Sequence, residues 1–95
     1  MAKSMTRKSS SRQQVFSLAA PEASRVQLVG DFTQWNQSPI NMIKESDGTW
    51  RAGVALEQGN HSYRFIVDGV WCDDPECTVR EPNPYGGQNA VRKVT

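Results

Sequence analysis

Nucleophilic, acid–base and metal chemistry each need particular side chains in company, and this sequence offers few of them. His61 is the single histidine. It runs in strand phase with Tyr63 and Phe65, which suits a histidine held at the end of a core strand better than a general base. Asp73, Asp74 and Glu76 form an acidic cluster, and paired carboxylates can cleave glycosides when one of them is kept protonated. Here they flank Pro75 in a turn-like stretch with nothing to raise one pKa, so a solvated turn is expected. Cys72 and Cys77 have four residues between them. Zinc takes about four ligands, which His61 cannot complete. Free thiols are the favoured reading, ahead of a local disulfide and half of a metal site. No glycine-rich phosphate loop opens a helix. The expectation is a chain with no catalytic residue, no metal and no cofactor.

What remains is aromatic. The stretch Gly59 to Trp71, GNHSYRFIVDGVW, holds a strand, a tight turn and the start of a second strand. Asp68-Gly69 is a type I′ hairpin signal, which places Val67 opposite Val70. Pleat alternation then puts Tyr63, Phe65, Val67, Val70 and Cys72 on a core face and Arg64, Ile66 and Trp71 on the other. A flat indole beside a fixed donor is the equipment for holding a sugar. The three tryptophans separate by phase. Trp50 alternates with Ala52, Val54 and Leu56 and belongs to the core. Trp35 lies in a polar loop and Trp71 faces outward, and exposed aromatics of this kind mark a binding surface.

The elements that must position them are strands. QVFSLAA and SRVQLVGDF read as the first two, and INMIK as a short third. Asp47-Gly48 is a second hairpin signal before TWRAGVALEQG. After Trp71 the run CDDPECTVREPNPYGGQ reads as a long ordered loop without a regular pattern, and NAVRKV as the last strand. About seven short antiparallel strands with no helical periodicity predict an all-β, immunoglobulin-like sandwich. Residues 1–13 are expected to be a disordered basic leader and residues 14–95 the folded domain.

Charge narrows the function. The leader carries Lys3, Arg7, Lys8 and Arg12 with no acid, which leaves seven Lys and Arg against ten Asp and Glu elsewhere, a net charge of −3. A negative domain does not suit a duplex nucleic-acid binder, which neutralises phosphates with clustered bases. No apolar run is long enough to span a membrane, at roughly 18 residues. The basic start has no apolar stretch behind it and so is not a secretory signal, and a cytoplasmic location is expected.

VQLVGDFTQWN, GTWRAGVALEQGNHSYRFIVDGVW and NPYGGQNAV, in that order, resemble a family 48 carbohydrate-binding module. This is the glycogen-binding domain of the AMP-activated protein kinase β subunit, also found as the early-set domain of glycogen branching and debranching enzymes. The resemblance covers residues 14–95. It implies non-catalytic binding of α-1,4-glucan. Trp35 and Trp71 match the two sugar-stacking tryptophans. Arg64 stands where the kinase-subunit domain has a lysine bonding sugar hydroxyls, and Asn89 matches an asparagine with the same task. Tyr85 replaces a leucine that clasps the ring, and Gly87 a threonine. The expected partners are an α-glucan and a glycogen-metabolising enzyme or kinase. The other reading is an immunoglobulin-like domain of the same fold that binds a protein partner without significant sugar affinity.

Overall fold

The computed structural model describes residues 11–83 and 87–95. Among the described residues there are nine strands: β1 Ser11–Ala19, β2 Val26–Gly30, β3 Ile40–Asn41, β4 Ile43–Lys44, β5 Thr49–Glu57, β6 Gly59–Val67, β7 Val70–Cys72, β8 Arg80–Pro82 and β9 Gln88–Val94. They form two antiparallel sheets. One has the order β1-β5-β4, the other β3-β2-β6-β9-β8 with β7 also paired to β6. The all-β sandwich expected from the strand pattern is what forms.

The core lies where alternation predicts it. Phe16 and Leu18 of β1, Val26 and Leu28 of β2, Trp50 and Leu56 of β5, and Tyr63 and Phe65 of β6 are buried together. Their rings meet edge to face, with Phe16 and Tyr63 centroids 4.8 Å apart and Tyr63 and Phe65 5.9 Å apart. This is the geometry favoured by the ring quadrupoles. Trp50 also satisfies its indole N–H, which donates to the Ala20 carbonyl at 3.0 Å. On the open side of the sandwich the Arg92 guanidinium lies 4.1 Å from the Phe16 ring centroid. It donates to Gln14 Oε1 and to the Val15 carbonyl of β1, at 3.0 and 3.2 Å.

Where the expectations fail, they fail at short strands and at faces. INMIK is two strands, because the chain changes sheets inside it: Ile40–Asn41 pairs with β2 and Ile43–Lys44 with β5. Met42 is the crossing point, buried in the core with its N–H bonded to the Val26 carbonyl at 2.9 Å. The stretch after Trp71 is not wholly irregular, since β8 adds to β9 within it. β1 begins at Ser11, paired with Glu57, within the segment expected to be leader; residues 1–10 lie outside the described residues. Val70, assigned to the core face, is 62% exposed, and Cys72 is half-buried. β7 is only three residues long and hangs beyond the area that the opposite sheet covers. Cys77 packs against the core instead, and both cysteines are free thiols. Among the described residues no helix is long and apolar enough to cross a membrane.

The turn at Asp68-Gly69 has both residues at positive φ, 49° and 85°. A Cβ at Gly69 would meet nothing but would have to adopt a conformation that side chains rarely take. The turn is also tied to the neighbouring strand. Asp68 Oδ1 accepts the N–H groups of Ser24 and Arg25 at 2.9 and 2.8 Å, and the Asp68 N–H donates to the Arg25 carbonyl.

Two substitutions separate core from rim. Trp50→Ala leaves a cavity and removes one of the two N–H groups donated to the Ala20 carbonyl, the other being that of Ala23, and is expected to cost about 3–5 kcal/mol. Val70→Thr is expected to change stability by less than about 0.5 kcal/mol, as at an exposed site. Denaturant melts of the two variants measure both. An equal loss at the two positions would contradict the burial described here.

Candidate functional site

β6 carries two surfaces. Its even-numbered outward residues, Arg64 and Ile66, share a face with the residues directly opposite them on neighbouring strands. Val29 faces Arg64 across the β2–β6 ladder and Trp71 faces Ile66 across β6–β7. Val29 and Ile66 are buried, at 0% and 9% exposure, although neither belongs to the central core cluster. They form an apolar floor under the outward face. Alternation alone assigns Ile66 to this side but does not reveal that it is covered.

One edge of β6 is shared by two strands. β9 pairs with Gly59 to Tyr63 and β7 with Phe65 to Val67. Arg64 falls at the junction, where β7 has ended at Cys72 and β9 begins. The Arg64 guanidinium carbon is 5.6 Å from the Trp71 ring centroid, a cation–π arrangement. Its Nε donates to Asp73 Oδ1 at 3.1 Å.

Trp35 arrives from the other side on a pair of 3-10 turns, Asp31–Thr33 and Trp35–Gln37. Gln34 and Trp35 both have positive φ, 54° and 57°, which is uncommon for such side chains. Thr33 holds the strained turn. Its buried hydroxyl oxygen accepts the Gly30 N–H at 2.9 Å and lies 3.0 and 2.7 Å from the Gly30 and Trp35 carbonyls. Gly30 permits the loop to start here, since a Cβ on it would stand 2.5 Å from the Ser62 carbonyl oxygen of β6.

The third side is built of amides. Asn89 is buried at 8% exposure, and its Oδ1 accepts Asn83 Nδ2 at 3.2 Å. Asn83 closes its own loop: its N–H donates to the Gly87 carbonyl at 2.9 Å, and its Oδ1 accepts the Gly87 N–H at 3.1 Å.

These parts enclose an open groove of about 600 Å³ lined by Trp35, Asn36, Arg64, Trp71, Asn83, Gly87 and Asn89. Four of the five residues singled out from sequence, Trp35, Arg64, Trp71 and Asn89, therefore line one groove. The fifth, Tyr85, lies outside the described residues. Asn36 and Asn83 were not singled out, because an asparagine in a polar turn carries no signal beyond the turn itself. The groove offers two indoles, one guanidinium and several amides on one face.

The acidic cluster is a turn with Asp73 and Glu76 exposed as expected, but Asp74 is not solvated. Asp74 is buried, accepts the Tyr63 hydroxyl at 2.6 Å, and caps the Glu76 N–H at 3.0 Å. Burial, reinforced by that carboxylate, pushes the Tyr63 phenol well above its ordinary range. His61 sits between the Glu57 carbonyl at 2.9 Å and the Asp31 carboxylate at 3.3 Å, a structural position as expected. Among the described residues no three His, Cys, Asp or Glu side chains gather as a metal site would require.

The chain matches the family model described as the glycogen recognition site of AMP-activated protein kinase over residues 14–95. It is 38% identical over 74 residues to a 1,4-alpha-glucan branching enzyme GlgB of Lactobacillus acidophilus, covering 73% of this chain and 11% of the enzyme. It is 37% identical over 73 residues to the chloroplastic protein FLOURY ENDOSPERM 6 of Oryza sativa subsp. japonica, covering 77% of this chain and 13% of that protein. It is 38% identical over 50 residues to the AMP-activated protein kinase subunit beta-1 of Sus scrofa, covering 53% and 38% respectively. The chain thus spans a minor part of each of these relatives.

The Tyr63–Asp74 bond yields a prediction. A phenol held neutral in the fold stabilises it fully below the unfolded tyrosine pKa of about 10, and that contribution is lost as pH rises beyond it. Tyr63→Phe is expected to cost about 1–3 kcal/mol at neutral pH by leaving Oδ2 of the buried Asp74 without the Tyr63 donor. The parent should lose melting temperature above pH about 10 more steeply than the variant. Parallel slopes would place the alkaline sensitivity elsewhere.

Proposed function

As the chain belongs to the family of the AMP-activated protein kinase glycogen recognition site, we propose that it is a non-catalytic module binding α-1,4-glucan through Trp35, Trp71, Arg64 and Asn89. The observation that carries this reading is the convergence of these four side chains on one groove from four separate segments. A glucose ring presents axial C–H groups as an apolar face, and an indole buries that face without distortion. Hydroxyls at the ring's rim require both donors and acceptors, which a guanidinium and an amide supply. Tyr85, which falls in sequence between Asn83 and Gly87, is proposed as a further contact. The family description as a glycogen recognition site of a kinase and the relatives named for 1,4-alpha-glucan branching support glucan as ligand. They also support a glycogen-metabolising enzyme or kinase as the partner carried to it. With stacking and a few hydrogen bonds set against the cost of association, micromolar to low-millimolar dissociation constants are expected.

The test is a maltoheptaose titration of the parent and of Trp35→Ala and Trp71→Ala. Each substitution removes a stacking platform worth about 1–3 kcal/mol, by analogy with bases on aromatic side chains. Binding should weaken roughly tenfold to a hundredfold while the melting temperature stays within a few degrees. Two variants that bind like the parent would overturn the assignment of the groove.

A further inference from the structure

Asp73 is the first residue after β7, two beyond Trp71, and its carboxylate lies between two guanidinium groups. Oδ1 accepts Arg64 Nε at 3.1 Å, and Oδ2 is 3.8 Å from Arg80 Nη1. Arg80 is itself anchored, since its Nη2 donates to the Asp74 carbonyl at 2.7 Å. The two arginines are mostly covered, with side chains 22% and 24% exposed, while Asp73 is 47% exposed. The nearby acids are engaged elsewhere: Glu81 accepts Ser62 Oγ and Asp74 accepts Tyr63. Asp73 is thus the carboxylate that faces Arg64. It fixes one edge of the guanidinium while Trp71 covers its face. A guanidinium cannot lose its proton at working pH, so its charge is offset only by a counter-charge of this kind.

We propose that Asp73 is a positioning and selectivity residue of the groove: it holds Arg64 against Trp71 and offsets its charge, so that the site takes uncharged glucan in preference to phosphate-bearing glucan. This rests on the glucan reading above. With Asp73, Arg64 is oriented for hydroxyl oxygens, and the two arginines with their shared carboxylate carry a net charge of +1. Without it that charge rises to +2 and Arg64, the arginine that lines the groove, loses its partner, so an anionic ligand gains while a neutral one loses an ordered donor.

The experiment compares maltoheptaose with maltoheptaose carrying one 6-phosphate, on the parent, Asp73→Asn, Arg64→Ala and the double variant, at low and high salt. Asp73→Asn should bind neutral maltoheptaose about twofold to fivefold more weakly, the range of an exposed ion pair. It should bind the phosphate-bearing ligand more tightly than the parent at low salt, and that gain should shrink at high salt as the charges are screened. In the Arg64→Ala background, Asp73→Asn should leave maltoheptaose affinity unchanged. Glu45→Gln, which breaks the exposed Arg51 pair on the other sheet, should leave both ligands unaffected. An equal loss for both ligands, or a loss that persists without Arg64, overturns the proposal. A parent that binds neither ligand overturns the glucan reading and this inference with it. A parent that binds maltoheptaose beside an indifferent Asp73→Asn overturns this inference alone.

Discussion

The left-handed backbone at Asp68 and Gly69 is the constraint on which the groove depends. A two-residue turn with both φ positive permits one register, in which Val67 meets Val70 and Ile66 meets Trp71. A slip by one residue would turn Trp71 inward and send Tyr63 or Phe65 into solvent. The Asp68 carboxylate adds a second restraint by gripping the N–H groups that open β2. The strand that carries Val29 beneath the site is thereby fixed relative to the hairpin that carries Trp71.

Much of this was legible from residue order. Strict alternation in β5 and β6 identifies Trp50, Leu56, Tyr63 and Phe65 as core, and the Asp-Gly pair fixes the hairpin. Alternation reports a face, however, and not what covers that face. Val70 has the phase of the core yet stands beyond its margin, while Ile66 and Val29 have the outward phase yet are sealed. Strands of two or three residues leave no period to detect. Hence the change of sheets at Met42 and the pairing of β8 emerge only from the folded chain. Asp74 was misjudged because its partner, Tyr63, is eleven residues away.

The groove was readable in its aromatic and basic members and unreadable in its amides. Trp35 and Trp71 stand out because large apolar rings are out of phase with their surroundings. Asn36 and Asn83 resemble every turn asparagine, and only closure of the loop by Asn83 and Gly87 brings one of them to the rim. The strain at Gln34 and Trp35 is likewise invisible in the residue types. It is held by Thr33, a buried hydroxyl whose neighbours are all backbone groups.

Arg92 ties one sheet to the long margin of the other. Sheets end in rows of unpaired backbone groups, and those rows invite strands from other molecules. Here three margins end on strands of two or three residues, β3, β4 and β8, too short to template an intruder. β1, with nine residues, is the long margin. Midway along it the Arg92 guanidinium occupies the Val15 carbonyl and sets a positive charge at the rim. A side chain lent by the opposite sheet thus takes up a backbone acceptor on the longest sheet margin among the described residues.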